Sequence, residues 1–454
     1  MKGLKRKELI SNSIVNVCRI VLAVTLVFSG FVKAVDPMGT AYKLADYLTA
    51  MGLSGLLHES VLVAVSVALS AAEFCVGIFL LFAIQRRLAS RAAVVFMLVM
   101  TPLTLWLAVA NPVSDCGCFG DAVVLSNWQT FWKNVVLLVL AVIVAVRPRA
   151  MFRFVSESNQ WIVINFSILF ILIISGVSLY DLPIFDFRPY HIGANLPEGM
   201  TVPEGAPQPR FETTFTMEKD DKRQEFGLDN YPDSTWTFVD SHTVMVSKGY
   251  EPPIHDFVLE TELGDDITDE VLSDTGYVFL LVAPHLEQAD DSRLDLINEL
   301  YEYSQEQGYP FYGLTASSPD AIVQWRDQTG AEYPFCTVDE ITLKTMIRSN
   351  PGLLLLHGGT VVRKWSHNLL PVIAEEQASQ PLERFEIGHL PEDSVPRKVA
   401  RILLWFVLPL TLLVVADRLW MWTKWLRRHK KGNNEQGSQE IGNNPKITTK
   451  TKEQ

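Results

Sequence analysis

The residues able to do redox chemistry in this chain are few, and two of them stand together. Cys116 and Cys118 are one residue apart in the string Asp115-Cys116-Gly117-Cys118-Phe119-Gly120-Asp121. Thiols at that spacing can close only a small ring, and Gly117 supplies the backbone freedom that closure needs. A disulfide in so tight a ring is readily reduced, which favours exchange over stapling. Asp115 and Asp121 oppose thiolate formation, so activation would have to come from a quinone, a partner protein or a helix terminus. Three readings stand: a redox pair, an inert turn or structural disulfide, and a metal site. The metal reading fits least, because two thiolates half fill a tetrahedral site and no histidine lies nearby. No metal and no resident cofactor are expected.

The other cysteines are scattered. Five in 454 residues cannot form the scaffold of a small secreted domain. Cys18 and Cys75 fall in apolar runs and read as packing residues. Cys336 reads either as a small buried apolar residue or as the partner of Cys116 or Cys118 in a mixed disulfide. Glu73 sits within an apolar run, where an ionised carboxylate is expensive unless paired or protonated. Arg19 is its first expected partner and Lys33 the second. Such a pair would be a structural interhelical ion pair, or part of a proton relay or quinone site. His285, His357 and His367 lack ligand spacing and read as surface or loop histidines.

The elements that position these residues are membrane helices. Runs long enough to cross a bilayer lie near 14–35, 61–84, 92–111, 131–146, 161–180 and 400–422. The fourth is short and could be re-entrant, although Trp128 and Trp132 at its start suit an interfacial anchor. Lys2, Lys5, Arg6 and Lys7 precede the first run, which has no clear cleavage site, so a retained helix is expected. With six crossings those residues fall on one side together with Arg86, Arg87 and Arg91, with Arg147, Arg149 and Arg153, and with Arg427, Arg428, Lys430 and Lys431. Both termini are then cytoplasmic, and residues 181–399 with the Cys-Gly-Cys loop face the other, periplasmic, side of the inner membrane. The stretch from Tyr180 to Lys398 holds roughly 39 acidic residues against 15 basic ones, so nucleic acid is an improbable partner. Membrane lipid is the expected one.

The long segment divides in two. Residues 183–253 show short alternating stretches between Pro and Gly breaks, which suggests a β-rich lead-in. Residues 254–390 alternate strand and helix patterns: a strand at 277–283, a helix at 292–305, a strand at 310–314, helices at 319–328 and near 340–347, then strands at 353–356 and 361–365 joined by Gly358-Gly359. A sixth crossing at 399–426 follows, and the polar tail 427–454 reads as disordered.

Two resemblances attach to these residues. Residues 1–150, with Ser29-Gly30-Phe31-Val32-Lys33 closing the first helix and Asp-Cys-Gly-Cys-Phe-Gly before the fourth, resemble the DoxX/MauE family of redox-associated membrane proteins, with residues 156–182 adding a fifth crossing. The resemblance implies a role for Cys116 and Cys118 in thiol and disulfide handling. Residues 254–390 resemble the thioredoxin-like, peroxiredoxin/TlpA-type fold in element order, in Tyr333-Pro334-Phe335, and in Asn350-Pro351-Gly352, where that fold places its cis-proline. Where such proteins carry Cys-x-x-Cys, this chain reads Pro284-His285-Leu286-Glu287-Gln288, so the domain is degenerate and thiol chemistry of the usual kind is excluded there.

The fold class expected is therefore a membrane α-helical bundle of about six transmembrane helices with an extracytoplasmic α/β thioredoxin-like domain. The function expected is extracytoplasmic thiol/disulfide exchange through Cys116 and Cys118, with client binding by the domain and a quinone or partner protein as electron carrier. The alternative is a non-enzymatic membrane anchor or partner-binding scaffold. Transport is weaker, since one intramembrane carboxylate and no inverted repeat support it.

Overall fold

The computed structural model describes residues 2–113, 116–208, 210–219, 222–233, 235–247 and 249–442. Asp115 and the end of the tail lie outside them. The chain forms two compact units, one comprising 1–179, 183–185 and 393–454, the other 180–182 and 186–392.

The first unit is helical. Its elements are α1 (Lys2–Val35), α2 (Pro37–Ala50), α3 (Glu59–Phe82), α4 (Arg86–Ala110), α5 (Asn127–Val146), α6 (Gln160–Tyr180) and a closing helix, Val395–Gly442. Among the described residues six helices are long and apolar enough to cross a membrane, as expected. The short fourth run proves full length. Ser126 caps α5 with a capping box through Gln129, so the helix begins before the apolar run and takes in Trp128 and Trp132.

One expectation is corrected, and the structure adds an element. Residues 36–60 hold α2: Asp36 accepts from the Gly39 amide at 2.8 Å, and Pro37 occupies the first turn. The tail expected to be disordered continues the closing helix to Gly442. That stretch holds no proline, and its Lys, Arg, Glu and Gln are good helix formers.

Glycines on α1 and α3 set a close contact in the bundle. A Cβ on Gly30 would come within 2.5 Å of the Phe74 amide nitrogen, and one on Gly77 within 2.8 Å of the Val27 nitrogen. Their absence lets α1 and α3 approach closely, the usual device where lipid supplies no hydrophobic drive. The closing helix seats Phe406 against Phe74, Phe166 and Phe170. Its Asp417 accepts from the Ser156 amide at 2.9 Å and from Asn159 Nδ2 at 2.6 Å, capping the start of the fifth crossing.

The second unit carries two sheets. β1 (Arg210–Lys219), β2 (Lys222–Gly227) and β3 (Thr237–Ser247) form an antiparallel sheet in the order β2-β1-β3, within the expected lead-in. The larger sheet contains β4 (Glu260–Thr261), β5 (Tyr277–Val282), β6 (Phe311–Thr315), β7 (Phe335–Thr337), β8 (Gly352–His357) and β9 (Thr360–Ser366), ordered β4-β7-β6-β5-β8-β9. β5, β6 and β7 run parallel, linked through α7 (Leu294–Gln307) and α8 (Pro319–Thr329). After α9 (Glu340–Met346), β8 and β9 return antiparallel. Every residue of β5 is buried, as a strand covered on both faces requires. Gly358 and Gly359 take φ of +54° and +68° in the β8–β9 turn, which glycine adopts freely. The Asn350–Pro351 bond is cis. This order is the thioredoxin-like one.

Candidate redox site

α4 ends at Ala110, and Asn111 leaves it in the left-handed region, turning the chain back toward α5. Asn127 Nδ2 then ties the two helix ends together, donating to Asn111 Oδ1 at 2.9 Å and to the Val113 carbonyl at 2.8 Å. The loop so held carries Cys116 and Cys118, which are bonded to each other. Gly117 between them has φ of +58°, with the aliphatic part of Lys43 against it.

Two hydroxyls fix the loop from outside it. Ser29 Oγ on α1 donates to the Cys118 carbonyl at 2.7 Å, and the Tyr47 hydroxyl on α2 donates to the Cys116 carbonyl. Both cysteines are 7% exposed and pack with Tyr47 and Leu107, beside Leu44, Met100 and Trp106. The disulfide is thus roofed by apolar side chains rather than open to bulk water.

Behind Cys118 the bundle interior turns polar. A narrow, water-sized cavity is lined by Ser29, Lys33, Glu73, Cys118, Lys133 and Asn134 among others. Lys33 Nζ donates to Glu73 Oε2 at 2.7 Å, with both residues 4% exposed. This corrects the expected order of partners. Arg19 lies elsewhere on α1, buried, donating to the Phe152 carbonyl at 2.7 Å. Helix geometry explains the choice: Lys33 follows Gly30 by one turn, on the stripe where α1 and α3 touch. Lys133 Nζ stands 4.0 Å over the Phe119 ring, a cation held beside the loop by the ring's negative face.

Sequence reasoning missed Tyr47, Lys133 and Asn134. The signal for the last two was present, as adjacent polar residues inside an otherwise apolar helix. Tyr47 required knowing that α2 exists. Among the described residues no group of three or more His, Cys, Asp or Glu could hold a metal.

In the second unit the loop after β5, where a thiol pair would stand, holds polar contacts instead. Asn350 Nδ2 donates to the His285 carbonyl at 2.8 Å, and His285 Nε2 lies 3.0 Å from Glu340 Oε1, which Lys344 also contacts. Cys336 is fully buried on β7, and burial pushes its thiol up to about 11. Asp186 accepts from Arg188 Nε and Lys364 Nζ, both at 2.7 Å. Burial alone would raise its carboxyl, but the two cations hold it well below the usual carboxylate range.

Residues 11–147, spanning α1 to α5 apart from the start of α1, match the family model of methylamine utilisation protein MauE. Residues 211–248 match a domain of unknown function, DUF8463, and cover the three-stranded sheet. No curated protein matches the chain. The chain is also similar to the solution structure of a Bacteroides thetaiotaomicron protein named for disulfide isomerase activity, at 14% identity and a TM-score of 0.22, over 25% of this chain and 77% of that one. That likeness is too slight to carry argument, and the thioredoxin-like reading rests on strand order alone. The membrane unit that holds Cys116 and Cys118 is accordingly similar to the MauE membrane family over the first five helices.

Proposed function

We propose that this chain is an integral membrane thiol/disulfide exchange protein whose working pair is Cys116 and Cys118. The observation that carries the reading is the setting of the pair. Two hydroxyls on different helices clamp its backbone, and Cys118 borders the polar cavity of Lys33, Glu73 and Lys133. In exchange, a client thiolate attacks one sulfur of the disulfide and the other leaves as thiolate. A second client thiolate then displaces the mixed disulfide, so the client is oxidised by two electrons and the pair reduced. A two-electron acceptor, a quinone or a partner protein's disulfide, restores the pair. Lys133 supplies the positive charge that a leaving thiolate needs, offsetting Asp121.

The pair and the thioredoxin-like domain are assigned to the periplasmic side of the inner membrane, with both termini in the cytoplasm. Support comes from the bundle. Arg86 donates to the carbonyls of Arg149 and Met151 at 3.0 and 2.9 Å, gathering two basic loops where α4 begins and α5 ends. The cysteine loop joins the opposite ends of the same two helices. Basic loops stay in the cytoplasm.

A second reading, a non-enzymatic scaffold, is favoured by one observation: the thioredoxin-like domain keeps its fold but lacks the thiol pair. Differential alkylation in intact membranes separates the two, in a chain whose Cys18, Cys75 and Cys336 are replaced by Ala. Exchange requires the pair to shift between disulfide and dithiol on mild reduction. A pair that never changes state, in a chain that still functions as Cys116→Ser/Cys118→Ser, would leave only the scaffold.

A further inference from the structure

We infer that the arginine-lined end of the helical bundle is a binding site for an anionic phospholipid, with the headgroup phosphate between Arg87 and Arg149 and the acyl chains along Leu88 and Phe152. A groove there is lined by Gln85, Arg86, Arg87, Leu88, Pro148, Arg149 and Arg153. A second groove shares Arg86, Arg149 and Arg153 with it and continues past Met151 and Phe152. Four guanidinium groups therefore converge on one continuous depression.

Their engagements differ. Arg86 is held by the Arg149 and Met151 carbonyls, and Arg153 pairs with Glu157. Arg87 and Arg149 are exposed and have no side-chain partner among the described residues. Arg153 Nε is buried without a hydrogen-bond partner. Glu157 thus offsets one of the four charges, and the excess is positive.

The position selects a lipid over a soluble anion. The groove lies at the start of α4 and the end of α5, two helices long and apolar enough to cross a membrane, and Leu88 and Phe152, 63% and 60% exposed, border it. A phosphate with acyl chains satisfies both features at once. A soluble phosphate satisfies only the first. Planar guanidinium forks are suited to bidentate contact with phosphate oxygens, and basic pockets between membrane helices are where anionic headgroups collect.

The test uses the full chain in nanodiscs of phosphatidylcholine with or without phosphatidylglycerol, and native mass spectrometry of lipid retained on release. The expected result is preferential retention of phosphatidylglycerol. Arg87→Gln/Arg149→Gln should reduce it about thirtyfold, while Arg87→Lys/Arg149→Lys, which keeps the charge, retains most of it and reports that the bundle is folded. Equal retention of the two lipids, or retention unchanged in the Gln variant, overturns the inference. So does raised thermal stability with millimolar inorganic phosphate that matches the gain from phosphatidylglycerol, since the site would then be one for a soluble anion.

Discussion

Ser29 Oγ donates to the Cys118 carbonyl at 2.7 Å, joining α1 to a loop 89 residues further along the chain. Both groups are buried, so removing the hydroxyl takes from the carbonyl the side-chain donor that satisfies it. Ser29→Ala should cost about 1–3 kcal/mol, the desolvation cost of a buried acceptor left unmade. The measurement is thermal unfolding in detergent, together with alkylation of the reduced pair, which should speed up as the loop loosens. An unaltered melting temperature and alkylation rate would mean that the clamp contributes nothing.

The Lys33–Glu73 pair makes a sharper prediction, because its two readings diverge. Replacing one member of a buried ion pair strands the other, typically at about 3–5 kcal/mol, whereas replacing both by apolar groups is often neutral. Glu73→Gln should therefore destabilise the bundle, and Lys33→Met/Glu73→Leu should recover most of the loss. If the pair is structural, the recovered double variant still cycles Cys116 and Cys118 in the alkylation assay. If it relays protons, stability returns and cycling does not.

How much of this was legible in the sequence follows from which physical signal each part used. The crossings were visible because about 20 apolar residues are needed to span a bilayer, and the α/β order because β5 and α7 carry different hydrophobic periods. The cysteine loop was visible by its spacing. What it touches was not. Ser29-Gly30-Phe31-Val32-Lys33 is a weak string on its own, yet Ser29 holds the loop, Gly30 admits α3 and Lys33 neutralises Glu73. Ranking Arg19 first weighed its depth in the helix and ignored rotation about the axis, which a tight glycine contact decides. α2 escaped because its 14 residues, opening on Pro37 and interrupted by Lys43 and Asp46, are too short and too polar to span.

Cys336 should behave as a packing residue. With its thiol pushed up to about 11, the thiolate fraction near neutral pH is on the order of one in ten thousand. Alkylation of the native protein should be slow and should accelerate by orders of magnitude in denaturant. Cys336→Val should be tolerated, while Cys336→Ser, which buries a hydroxyl, should cost about 1–3 kcal/mol. Rapid labelling of native protein at neutral pH would restore Cys336 as a candidate for mixed-disulfide exchange.

The two cations on Asp186 tie stability to acid. Because Lys364 and Arg188 hold its carboxyl below the unfolded value, the native state binds a proton there less readily than the unfolded chain does. The stabilisation is fully present above the unfolded value of about 3.9. It is lost as pH falls through the folded value, with a slope of at most about 1.4 kcal/mol per pH unit. Burial lowers the Lys364 ammonium to about 8, still far above this window, so lysine is charged in both states and adds no slope of its own. Urea titrations of the full chain in detergent, followed by circular dichroism between pH 5 and 2, would read the effect. Asp186→Asn should be less stable near neutrality, since Lys364 and Arg188 remain buried without a carboxylate, and its stability should fall less steeply as acid is added. An equally steep acid limb in that variant would mean that the acid sensitivity arises at other carboxylates and that Asp186 is not the group through which pH acts.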